Sequence, residues 1–146
     1  MKAKRVISFF CAVLMLASLL ALPALAAEPE QQVIDLGDGY YVIRTIETHV
    51  MARSGDTVSG SVSESLYYQG TKVGSATLAA VFDISGSSAV ALGAALQGSG
   101  MNGWTYTDGG TYCGGNRATG TAIFSSGSVV KQLPLSLSCT PDGELY

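Results

Sequence analysis

Strict alternation of apolar and polar side chains recurs along this chain of 146 residues and narrows its fold more than any other feature. From Lys72 to Ile84, the residues Ala76, Leu78, Ala80, Phe82 and Ile84 fall on one face, while Ser75, Thr77 and Asp83 fall on the other. A period of two sends successive side chains to opposite faces of an extended chain, so the segment reads as a half-buried strand. Arg117 to Phe124 repeats the pattern through Ala118, Gly120, Ala122 and Phe124, and Val129 to Cys139 repeats it through Leu133, Leu135, Leu137 and Cys139. Three strands with one apolar face each require a shared core.

Glycine-rich clusters punctuate these runs. Tyr67-Tyr68-Gln69-Gly70-Thr71, Ser85-Gly86-Ser87, Asp108-Gly109-Gly110 and Ser126-Gly127-Ser128 are expected chain reversals, because glycine reaches positive φ without steric cost. Pro134 places its strand at a sheet edge or a bulge. Ser88 to Gln97 is rich in alanine and leucine and would also suit a helix. Gly93 and the surrounding β pattern favour a strand, with Val90, Leu92, Ala94 and Leu96 on one face. Met51 to Glu64 reads as a loop or a ragged edge strand. The expected fold is all-β: an antiparallel β-sandwich of seven or eight strands, immunoglobulin-like or a related meander.

Residues 1–26 read as an address. Lys2, Lys4 and Arg5 lead into the apolar run Val6 to Leu22, followed by Pro23 and the cleavage pattern Ala24-Leu25-Ala26, the layout of a secretory signal peptide. Cys11 lies inside that run, away from the cleavage point, so it is not read as a lipid anchor. Residues 27–146 are then one domain, exported and released from the membrane, outside the cell or at its envelope. This part carries five basic residues against eleven acidic ones, a formal charge of −6, with no basic run. That balance argues against nucleic acid and anionic lipid as partners.

Two cysteines remain after the leader, Cys113 and Cys139. An even pair in an exported chain is most simply a disulfide, and closing this loop would contribute about 3.5 kcal/mol; two buried free thiols are the alternative. Two cysteines without further ligands do not make a zinc site, and neither a metal nor a cofactor is expected.

The stretch Val33-Ile-Asp-Leu-Gly-Asp-Gly-Tyr-Tyr-Val42 gathers two aspartates and two glycines between apolar flanks. A calcium loop needs six or more converging oxygens, and a phosphate loop needs a following helix. Tyrosines and a strand-like run follow instead, so Gly37-Asp38-Gly39 is expected to be a hairpin turn. A weak surface calcium site completed by distant residues is the remaining reading. Taken together, IDLGDGYYV, RSGDTVSG (Arg53 to Gly60), FDISGSSA (Phe82 to Ala89), NGWTY (Asn102 to Tyr106), ATGTAIF (Ala118 to Phe124) and LSLSCTPDG (Leu135 to Gly143) resemble a group of small secreted proteins of Gram-positive anaerobic bacteria. The resemblance implies export and a β fold. No activity is attached to the group, so it implies no catalytic residue.

Catalytic signals are sparse. His49 is the only histidine, and no serine stands in a G-x-S-x-G setting. Asp35, Asp38, Glu47, Asp56, Glu64 and Asp83 are numerous enough for glycosidase-like carboxylate pairs, but they fall mostly in turns and on polar faces. The aromatic residues Trp104, Tyr106, Tyr67 and Tyr68 are the candidate ligand-facing groups, although for Trp104 a place in the core is favoured because Phe82 and Phe124 alone are few large groups for such a domain. The expected function is a non-catalytic binding or structural module whose partner is a glycan or a protein. A secreted effector or inhibitor of a protein target and a small carboxylate-dependent hydrolase are the alternatives. A homodimer paired through an edge strand is a further expectation, since this chain has few surface charges to keep strand edges apart.

Overall fold

A computed structural model describes residues 30–47 and 56–146. The expected leader, Cys11 and His49 lie outside the described residues. Eight antiparallel strands follow one another with no helix among them: β1 (Glu30–Gly37), β2 (Tyr40–Glu47), β3 (Thr57–Tyr68), β4 (Thr71–Asp83), β5 (Val90–Gly100), β6 (Thr105–Gly114), β7 (Arg117–Ser126) and β8 (Val129–Ser138). Five strands form one sheet in the order β1-β2-β3-β4-β5, and three form a second in the order β6-β7-β8. Every strand within a sheet pairs with its neighbours in sequence, so the connectivity is a meander.

The alternation builds the core as expected. Ala76, Leu78, Ala80 and Phe82 of β4 meet Ala118, Ala122 and Phe124 of β7 and Leu133, Leu135 and Leu137 of β8 in a single buried cluster. Phe82, Phe124, Leu78 and Leu137 are fully buried. Each such side chain contributes about 1.5 to 3 kcal/mol relative to exposure. Gly120 keeps β7 close to the other sheet, since a Cβ there would stand 3.1 Å from Leu78.

Three tight turns share one end of the molecule. Asp38-Gly39, Gln69-Gly70 and Asn102-Gly103 each place both residues at positive φ, the left-handed pair that suits the twist of a two-residue hairpin. The opening stretch VIDLGDGYYV is thus a hairpin turn, with the Asp35 carboxylate accepting the Gly37 N–H at 2.8 Å. Pro134 does lie on an edge strand.

Four expectations are corrected. Asp108-Gly109-Gly110 does not reverse the chain. It is a bulge inside β6, where Gly110 takes φ 100° and its N–H reaches the Asp108 carboxylate, and the reversal follows at Gly115. Val90 and Leu92 do not share the face of Leu96: a register shift between Val81 and Phe82 leaves Leu92 unpaired, flips the phase of β5 and exposes Leu92 by 59%. Met51 to Glu64 is no loop from Thr57 onward, because β3 is a twelve-residue inner strand whose residues Val58, Gly60, Val62, Glu64 and Leu66 are buried in alternation. Residues 51–55 lie outside the described set.

The fourth correction concerns the disulfide. Cys113 and Cys139 are free thiols. Cys113 pairs across β6 with Ala118, which pairs across β7 with Leu137, so β7 separates the two cysteines by two strand spacings, roughly 10 Å. That span exceeds the Cα separation that a disulfide bridges. Cys139 is buried, its Sγ lies 3.3 Å from the Thr140 carbonyl oxygen, and burial raises its pKa.

Candidate functional site

The inward faces of the sheets are filled by the core, which leaves the outer face of the five-stranded sheet as the broadest platform for a ligand. Register fixes what it presents. Ser59, Val81 and Gly93 make one row across β3, β4 and β5; Ser61, Ala79 and Ala95 make the next; Ser63, Thr77 and Gln97 make a third. Alternation along β3 turns its four serines outward while its valines and leucine go inward. The result is a floor of very small side chains on the inner strands β3 and β4 and the adjoining edge strand β5.

A groove of about 690 Å³ lies over this floor, lined by Ser59, Ser61, Thr77, Ala79, Val81, Gly93, Ala95 and Gln97 with the backbone of Gly60, Ala80 and Ala94. The volume lies within the range that small-ligand sites occupy. Ala79 and Ala95 are exposed at its base, and Val81 forms an apolar lip at 41% exposure. The Ser63 and Thr77 hydroxyls are 2.9 Å apart at the polar end. Among the described residues, no Asp, Glu, Lys, Arg or His lines it; the nearest acidic position on the β2 side is Glu47, which pairs with Ser61 at the end of the middle row. Asp83 stands one row beyond, paired with Thr57 and Val90; the backbone N–H of Ser85 donates to its carboxylate at 2.8 Å and holds its pKa down.

The expected aromatic site divides. Tyr67 stands on the same outer face, its ring stacked on Tyr41 at 5.0 Å and 5°. Tyr68 turns inward and stacks on Tyr40 at 4.4 Å, while Trp104 meets Tyr40 edge-on at 5.9 Å. Lys131 completes this cluster with its Nζ 4.2 Å above the Tyr40 ring. Tyr106 packs on Phe124 at 5.7 Å, and its buried hydroxyl has no hydrogen-bond partner among the described residues; burial raises its pKa. Trp104, Tyr68 and Tyr106 therefore pack against the core, and the two tyrosine pairs point to opposite faces as strand geometry demands.

The groove residues escaped sequence reasoning because they carry no distinctive chemistry one at a time. Their signal was positional: Ser59, Ser61, Ser63 and Ser65 recur at period two, facing a second run of small residues in β5. Among the described residues, no group of three or more His, Cys, Asp or Glu is placed to hold a metal ion, and no helix is long and apolar enough to cross a membrane. Compared with models of known protein families, with curated proteins and with solved structures, the chain matches none. The described lining offers hydroxyls, one amide and small apolar groups, which can exchange hydrogen bonds and make apolar contacts.

Proposed function

We propose that the protein is an exported β-sandwich that works as a non-catalytic binding module, with the groove on the five-stranded sheet as its ligand face. The observation that carries this reading is the uncharged lining of Ser, Thr, Gln, Ala, Val and Gly over three successive rows. Surface positions of this kind usually hold long charged side chains, and their replacement by small ones opens concave area. A neutral glycan suits the lining: its hydroxyls exchange hydrogen bonds with Ser61, Thr77 and Gln97, and its C–H faces rest on Ala79 and Ala95.

The test is binding of the purified protein to an array of neutral and charged glycans, with Ala79→Gln plus Ala95→Gln as the occluding variant. Both alanines are exposed, so the variant keeps the core intact. Selective binding to a neutral glycan, weakened at least tenfold in the variant, supports the reading. Binding that the variant leaves unchanged moves the ligand face elsewhere.

A further inference from the structure

We infer that the edge of β8, unpaired from Val130 to Ser136 among the described residues, and the inward face of the β1–β2 hairpin form a slot for one extended peptide segment, which adds to the three-stranded sheet as a fourth strand. The inference begins with the C-terminus. Ser138 and Tyr146 exchange both backbone hydrogen bonds, at 2.9 and 3.0 Å, and Cys139 bridges Leu145. The last two residues are thus a short antiparallel strand seated on the edge of β8 that faces away from β7. Leu145 is buried beneath it, and a turn from Thr140 to Glu144 returns the chain to this position.

That exchange sets the polarity of the whole edge. The pairing of β7 with β8 runs without a register shift from Arg117↔Ser138 to Ser126↔Val129. Residues two apart on a strand point their N–H and C=O groups the same way. Because Ser138 directs its groups outward, so do Ser136, Gln132 and Val130. Pro134 shares this parity and has no N–H to direct, which fits the tolerance of proline on the solvent side of an edge. Beyond the two seated residues, β8 therefore offers donors at three positions and acceptors at four.

The floor is set by unequal sheet widths. Five strands lie opposite three, and β8 faces β3. The position beside β8 consequently lies over β2 and the adjoining β1, where Arg44 and Ile46 of β2 and Ile34 of β1 are only half-buried on the inward face. Arg44 is already paired with Glu64, and the exposed Gln32 across from it adds an uncharged amide to the floor. The same overhang decides the occupant. A second copy pairing edge to edge through its own β8 would bring its β1–β2 hairpin into the space held by β3 and β4. A single extended segment carries no second sheet and meets no such obstacle. Its chemistry follows: uncharged, with apolar side chains at alternate positions facing Ile34 and Ile46.

The experiment is backbone amide hydrogen exchange followed by NMR on the full protein, with and without the uncharged peptide acetyl-Gln-Thr-Val-Thr-Val-Thr-Gln-amide. Without peptide, the amides of Gln132, Ser136 and Val130 should exchange quickly while that of Ser138 is protected by Tyr146. Saturating peptide should slow Gln132 and Ser136 at least tenfold and leave the outer groove unchanged. Gln132→Pro, which removes one outward donor as Pro134 already does, should weaken binding at least tenfold. Loss of the effect at these amides, or protection confined to β1 or to the groove, would overturn the proposal. Because Ala79→Gln plus Ala95→Gln should leave peptide protection intact, failure of the slot and failure of the glycan reading give different results.

Discussion

Glu64 is the only charged side chain in the buried set of the described residues, and it shows how one ion pair is held inside a sheet. It sits directly across from Arg44, whose Nε donates to Oε1 at 2.7 Å. Burial raises the Glu64 pKa, and the Arg44 contacts only partly offset that shift. A carboxyl whose folded pKa is raised binds more protons in the folded state than in the unfolded one between the two values. Stability therefore falls as pH rises from the ordinary carboxyl range through the folded pKa. Glu64→Gln should flatten this component, so the stability difference between wild type and variant, measured by urea unfolding at a series of acidic to neutral pH values, should shift in favour of the wild type as pH is lowered. Arg44→Ala leaves a buried carboxylate unpaired and should cost about 3 kcal/mol at neutral pH. Replacing both partners by apolar residues should cost much less.

At the scale of the strand, legibility followed the amount of side-chain contrast. β4, β7 and β8 were readable because large apolar residues alternate with polar ones throughout. β3 was missed over its first half because Gly60 and Glu64 occupy inward positions that contrast poorly with the outward serines. The Glu64 position becomes intelligible only with Arg44 beside it, twenty residues away in sequence. The bulge at Leu92 was hidden for a related reason: a continuous apolar run fits either phase, and the choice is made by the pairing of Phe82 with Ala91. The disulfide expectation failed because composition reports how many cysteines there are and not that β7 stands between them. A prediction belongs at this scale as well. An added Cβ at Gly100 would overlap the Trp104 carbonyl, at the junction where the chain passes from one sheet to the other. Gly100→Ala should destabilise by about 2 to 3 kcal/mol in thermal or denaturant unfolding, whereas Gly93→Ala, which meets nothing, should change stability far less.

The whole molecule is a meander folded over on itself, and its two candidate surfaces follow from that arrangement. The sheets join where β5 passes to β6 and stay apart on the other side, where β1 and β2 extend past β8. Of the four edge strands β1, β5, β6 and β8, β8 is guarded in part by Pro134 and the seated C-terminal residues, and β1 carries a bulge at Leu36. The outer face of the five-stranded sheet is the other consequence, since its middle strands carry small side chains where solvent-facing positions ordinarily carry long ones. That face is where function is proposed, and it was the part least visible in the sequence, because a groove arises from three strands brought into register and from no residue alone.

Binding to the glycan array, with the protein and its Ala79→Gln plus Ala95→Gln variant compared side by side, addresses this account most directly. The account predicts selective retention of a neutral glycan by the protein and at least a tenfold loss in the variant, with both proteins equally folded by circular dichroism. Equal binding by both proteins, or selective binding of a charged glycan alone, would contradict it.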